Sequence, residues 1–494
     1  ERQDYATALE KWRTLATAGE AAAQNNLGIL YDNGQGVAQD YAQARAWYEK
    51  AAAQGYAAAQ FNLGILYYEG KGVTQDYGQA RAWYEKAAVQ GDADAQYNLG
   101  ALYAEGQVVA QDYARSAAWW EKAAAQGHTQ AQYNLGVLYA EGRDVVQDYA
   151  QAFLWFEKAA ALGNAEAQYN LGVLYYSNQG VAQDYDKARE WWEKAAAQDN
   201  AAAQLNLGHL YEKGLGVAQD VTQARAWYEK AAAQGIPQAQ FNLALLYYNG
   251  KGVSQDYNQA FLWFEKAAIQ DFPLAQYNLG LLYAEGQGVA QDFGKAHEWW
   301  EKAAAKGYAA AQYNLALQHD KGKGVVQDYG QARAWYEKAA ARGHVKAQYN
   351  LAILYYQGNG VPQDINKGRE WLEKAATSQP ADAAAMRHLA LDIYHVGQGV
   401  AADNKQALDW LQRASDAGDS TAALILGQIY RRGDWGETAD ENKACAYYAQ
   451  SAAQIAQVAD AVIVGSRIVQ EIEKQPAQAV RAVADLVREL KAAV

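Results

Sequence analysis

The sequence predicts an all-α helical solenoid of about twelve stacked helix–turn–helix units, each 36 residues long. Three observations predict it. The motif Ala-Gln-x-Asn-Leu-Gly/Ala sets its Gln at 24, 60, 96, 132, 168, 204, 240, 276, 312 and 348, always 36 residues apart. A Trp keeps the same interval from Trp47 to Trp371. Each copy also carries start and stop signals for two helices. One such hairpin cannot bury its apolar surface alone, whereas stacked neighbours share a core.

Residues 57–91 show how one unit is read. Ala59 to Tyr68 has helical periodicity and no Pro, and Gly70 supplies the residue that tolerates positive φ after a helix. A short loop leads to Asp76, an N-cap residue with Gln79 three positions on, the spacing of a capping box. The second helix, Tyr77 to Gln90, places Ala80, Trp83, Tyr84, Ala87 and Ala88 on its apolar face and stops at Gly91. Small residues (Gly64, and Ala244, Ala316 and Ala352 in other copies) let helix axes approach, with the Trp expected as the bulk set against them. The recurrent Asn26, Asn62, Asn98 and Asn134 suggest a hydrogen-bond ladder between neighbours.

The pattern divides the chain. Residues 1–19 read as an N-terminal capping half-repeat, 20–376 as ten regular repeats and 377–450 as two irregular ones. Trp410 follows Trp371 by 39 residues, which places a three-residue insertion near Thr377–Pro380. Residues 451–494 lose the signature and read as a C-terminal helical cap, with a separate docking helix as the alternative.

The residues Gln60-Phe61-Asn62-Leu63-Gly64, Tyr67, Gly70-Lys71-Gly72-Val73, Asp76, Ala80, Trp83 to Ala88 and Gly91 resemble the Sel-1-like repeat, a relative of the tetratricopeptide repeat. The resemblance covers residues 4–450. It implies a right-handed α/α superhelix that holds other proteins together, in adaptors, in bacterial periplasmic or secreted interaction proteins, and in immunity proteins that block toxic effectors. The branch of the family that pairs two Cys per repeat is not matched, since Cys445 is the sole cysteine.

Charge and composition exclude several classes. The 494 residues carry a net charge of −13, against binding to phosphate backbones or anionic membranes. No apolar run approaches the ~18 residues of a membrane span. A thiolate metal cluster is excluded by the lone cysteine. His388, Asp392 and His395 fall at i, i+4 and i+7, which reads as a packed or solvated helix face, with a metal site as the lesser alternative. No nucleophile elbow or His-Glu-x-x-His motif is present. No enzyme, cofactor or metal is expected.

The remaining candidate is a binding surface. On a helical wheel Gln60, Leu63, Gly64 and Tyr67 share the stacking face, and positions 58, 61, 65, 68 and 69 the opposite one. By analogy with tetratricopeptide-like superhelices this second stripe lines a concave groove. It yields Tyr97, Tyr133, Tyr169, Tyr176, Phe241, Tyr248, Tyr277, Tyr349 and Tyr356, edged by Glu105, Glu141 and Glu285. These aromatics either pack between adjacent first helices, grip a partner, or do both. The expectation is a non-catalytic binding solenoid of a bacterial envelope or secreted protein, monomeric, with a protein partner in the groove. Its rivals are an immunity protein capping a lipase-type toxic effector and a cell-wall hydrolase. A removed leader and periplasmic or secreted location are expected, with a cytoplasmic one as the alternative.

Overall fold

In a computed structural model of the chain, residues 2–106 and 110–456 are described, and every regular element among them is helical. The residues are therefore those of an all-α solenoid, as the period predicts. Most of the sequence-predicted C-terminal cap lies outside the described residues. The chain divides into two compact units, Glu1–Ala239 with Lys251–Val253, and Gln240–Gly250 with Ser254–Val494. Within each unit, first and second helices pair as antiparallel hairpins, and each hairpin packs on the next.

The helix ends follow local chemistry. The first helix Ala57–Glu69 ends at Gly70 with φ 71°, a left-handed conformation in which Gly meets no Cβ penalty. Asn178 takes the same role at φ 59° after Ala165–Ser177. The second helix Tyr77–Val89 starts at Asp76, whose carboxylate accepts from the Gln79 N–H at 3.0 Å. Only half of the predicted capping box forms. The Asp76 N–H donates instead to the Tyr67 carbonyl at 2.9 Å, which staples the loop between the two helices. The same bond recurs from Asp40 to Tyr31 and from Asp328 to His319.

The hairpin interior corrects one expectation. The residue set against Gly64 is Tyr84, fully buried, rather than Trp83. A Cβ at Gly64 would overlap the Tyr84 ring, and the same overlap would arise at Gly100 with Trp120, Gly136 with Phe156, Gly172 with Trp192 and Gly280 with Trp300. The recurrent Trp is half-buried. Trp83 packs from the outside on the cluster at the junction with the preceding hairpin, formed by Tyr48 of that hairpin and Leu63 of its own. Its outer face carries the Lys86 ammonium at 3.8 Å, and Lys50 lies at 3.9 Å over Trp47. The Glu-Lys pairs are thus a solvated face whose lysines cover the tryptophans, a contact worth about 0.5–1 kcal/mol when exposed.

Neighbouring hairpins are tied by glutamine. The buried Gln60 donates to the Ala52 carbonyl at 3.3 Å and accepts from Gln90 Nε2 at 2.8 Å. Gln24, Gln96, Gln168, Gln204 and Gln240 accept in the same way from Gln54, Gln126, Gln198, Gln234 and Gln270, at 2.9 Å each. The predicted Asn ladder is therefore mainly a Gln ladder. The Asn residues serve a second tie between repeats, described below.

Gly opposite Trp has no slack. Where Ala replaces that Gly, at Ala244, Ala316 and Ala352, the facing side chains are Phe264, Tyr336 and Leu372, never Trp. Gly172→Ala should therefore destabilise unit 1 by about 1–3 kcal/mol through overpacking, and Gly64→Ala, opposite Tyr84, by visibly less. Urea denaturation of both variants checks this; equal losses would contradict it.

Candidate partner-binding surface

The stripe of unit 1 contains Tyr97, Tyr133 and Tyr169, all half-buried. Each is held from the next repeat. Burial raises the three phenol pKa values, and the nearby amides of Asn134, Asn170 and Asn206 oppose that rise. Trp120 and Trp192 donate their indole N–H to the Tyr97 and Tyr169 carbonyls at 3.1 and 3.0 Å. Tyr97 also stacks on His128, ring centroids 4.5 Å apart. The tyrosines thus pack between adjacent first helices and still present part of each ring at the surface.

In unit 2, Tyr277 is held likewise. Asn314 bonds its phenol, against the larger upward push of burial, and Trp300 donates to its carbonyl at 3.1 Å. Tyr349 has His388 Nε2 at 3.2 Å from its hydroxyl. Phe241 departs from the expectation. It is 7% exposed, wedged against Phe264 and Phe272 with centroids 5.7 and 5.4 Å away, so it belongs to the core.

The last-turn tyrosines also fold inward. Tyr176 lies 5.4 Å from Tyr185 and 5.6 Å from Trp192, and Tyr248 lies 5.4 Å from Tyr257. The Tyr356 hydroxyl is buried without a partner, its ring against Gly368. Where the same slot holds Ala104 or Ala284, a cleft opens instead. The unit 1 cleft, about 310 Å³, is lined by Trp120, Tyr133, Val137 and the carboxylates of Glu105 and Glu141. The unit 2 cleft, about 720 Å³, is lined by Leu281, Glu285, Phe293, Trp300 and Leu317. The three candidate glutamates are exposed, as rim residues should be; Glu141 pairs with Arg143 at 2.6 Å. Sequence reasoning missed Trp120, Trp300 and Lys323. The signal that marks them is a Trp-Trp pair coinciding with Ala in the last-turn slot.

The histidines do packing work. His388 and Asp392 lie 3.3 Å apart, but Leu389–His395 is π-helical, and His395 turns to Asn404 at 2.8 Å and stacks on Trp435. The face that would gather three ligands is therefore broken. Among the described residues no group of three His, Cys, Asp or Glu could hold a metal ion. His319 sits 5.5 Å from His297, its Nδ1 buried without a partner, and burial followed by His297 lowers its pKa. His344 caps the helix Val345–Gln357, its Nδ1 accepting from the Ala347 N–H at 3.2 Å. Burial, then Lys346, lowers the His344 pKa.

Comparison with known proteins places these features. The Sel1 repeat family model matches twelve consecutive segments, residues 21–56 through 420–454. The chain is similar to c5321, described as a protective antigen present in uropathogenic Escherichia coli strains with an SLR fold. The identity is 35%, 94% of this chain and 97% of that chain are covered, and the TM-score is 0.77. A Sel1 repeat protein from Oxalobacter formigenes is 36% identical over 63% of this chain and 90% of its own, with TM-score 0.52. The immunity protein Pa5087 from Pseudomonas aeruginosa is 21% identical over 43% of this chain and 81% of its own, with TM-score 0.28. No curated protein sequence matches significantly.

Acid should weaken the His344 cap. Its folded pKa lies below the ordinary value of 6.5, so the unfolded chain takes the proton first. The contribution is fully present above about pH 6.5 and is lost as pH falls through that value toward the folded pKa. Asn164 and Asn200 cap the equivalent helices without a titrating group. The unfolding midpoint should fall between pH 7.5 and 5.5, and His344→Asn should fall less over the same window. Parallel falls would contradict the assignment.

Proposed function

Because the chain belongs to the Sel1-repeat family over twelve consecutive repeats, whose members are generally protein-interaction scaffolds, we propose that it is a non-catalytic binding solenoid of the bacterial envelope or a secreted protein. In this reading a protein partner lies along the aromatic stripe of the first helices. One observation carries the reading: the stripe tyrosines are fixed in place yet partly exposed. Tyr97, Tyr133 and Tyr277 are half-buried against the rings of His128, Phe156 and Tyr308, so part of their side-chain freedom is already lost before a partner covers them. Rigid aromatic anchors with a polar rim are what a protein-recognition surface needs. No helix among the described residues is long and apolar enough to cross a membrane. Resemblance to a protein described as a protective antigen supports the envelope or secreted location.

The test is capture. The purified chain should retain a partner from envelope extracts of its native host, and the triple variant Tyr133→Ala, Tyr169→Ala, Tyr277→Ala should lose at least about tenfold in affinity for it while keeping its helical content. Full binding by the triple variant would contradict the stripe as the binding surface.

A further inference from the structure

The two clefts occupy the same register of the repeat, five repeats apart in sequence, and they differ in charge. Ala104, Trp120, Val137, Glu141 and Arg143 correspond in order to Ala284, Trp300, Leu317, Lys321 and Lys323. Glu105 and Glu285 also correspond. In unit 1 the cleft therefore has two carboxylates and one guanidinium, and Glu141 and Arg143 neutralise each other. In unit 2 it has one carboxylate and two ammonium groups. Lys321 sits 3.2 Å from Asp320, and Asp320 also accepts from the Tyr336 hydroxyl at 3.3 Å. Lys323 is exposed and pairs with no carboxylate among the described residues. With Lys321 paired to Asp320, Lys323 is the ammonium left at this cleft without a carboxylate partner, whereas the one cation of the unit 1 cleft, Arg143, is paired.

The chain itself shows what fits there. Tyr176 and Tyr248 fill the equivalent slot elsewhere, Tyr176 resting 5.6 Å from Trp192. Over Trp300 that aromatic is missing, and Ala284, Leu281, Leu317 and Phe293 leave an apolar-floored space of about 720 Å³. The volume lies in the range of ligand-binding clefts.

Resting on the protein-binding reading above, we propose that the Trp300 cleft takes one aromatic side chain of the partner and that Lys323 selects an acidic residue flanking that anchor. The bound ring replaces the tyrosine the repeat lacks. The flanking carboxylate is steered to the Lys323 ammonium, an attraction that weakens with salt.

The probes are three acetylated, amidated, fluorescein-labelled peptides: Gly-Asp-Glu-Tyr-Glu-Asp-Gly, its counterpart with Lys at every acidic position, and the acidic peptide with Ala for Tyr. Anisotropy titrations of the full chain should show the acidic Tyr peptide binding at least about tenfold tighter than either of the others, most clearly at low salt. Ala284→Tyr plugs the cleft with the chain's own solution and should abolish that preference without changing the unfolding midpoint. Ala104→Tyr should leave it within about twofold, and Lys323→Glu should reverse the charge preference. Equal binding of acidic and basic peptides, no peptide binding at all, loss on Ala104→Tyr, or retention in folded Ala284→Tyr would each overturn the proposal. Any of these outcomes, with envelope-partner capture still dependent on Tyr133, Tyr169 and Tyr277, removes the cleft assignment and leaves the protein-binding reading standing.

Discussion

The rest of the structure depends on a buried glutamine that repeats every 36 residues. Gln60 joins three helices at once. Its amide donates to the Ala52 carbonyl at the end of the preceding hairpin, and its oxygen accepts from Gln90 at the end of its own. A solenoid has only nearest-neighbour interfaces, so its order is the sum of such local ties. A buried amide left unpaired is costly, which makes the register between hairpins specific rather than merely apolar. The chain also holds the experiment in natural form. Leu162, Lys306 and Arg342 replace the donating Gln in three repeats, and the oxygens of Gln132, Gln276 and Gln312 are then buried without a partner.

With register fixed, small and large residues decide the surface. Glycine at the stacking face draws the two helices of a hairpin together and sends Tyr84, Trp120 or Trp192 inward. The tryptophan before it is turned outward and shielded by a lysine. On the far face, one slot varies among Tyr, Ala and an acidic residue. Tyr176 rests against Trp192, whereas Ala104 and Ala284, each facing an inward Trp, leave a cleft with an indole at its floor. A uniform scaffold thus becomes locally distinct through a single side-chain exchange.

The fold class was legible because its signals are periodic: Gly stops, Asp starts and a constant interval. The exposure of Glu105, Glu141 and Glu285 was legible as well, since helical angle alone gives it. Three things were not. Two adjacent aromatics lie about 100° apart on a helix, and only the position of the facing glycine says which one enters the core. Gln348 and Asn350 recur equally in their repeats, so recurrence cannot tell which amide reaches a carbonyl and which bonds a phenol. The His388–His395 face was misleading because the π-helical turn shifts the hydrogen-bond register and leaves no mark in residue type. Phe241 reads like a stripe tyrosine on a wheel, yet it lacks the hydroxyl and is enclosed between Phe264 and Phe272.

The most direct test of the glutamine tie is to restore it where it is broken. Leu162 is 57% exposed and shares the backbone conformation of Gln126, so Leu162→Gln removes no core contact. The new amide should reach the orphaned oxygen of Gln132 and stabilise that repeat by about 1 kcal/mol. In amide hydrogen exchange, the helices Thr129–Glu141 and Tyr149–Ala161, which the bond joins, should then gain roughly five-fold protection. Unchanged or reduced protection would contradict the claim that the glutamine tie holds the helices of a repeat together.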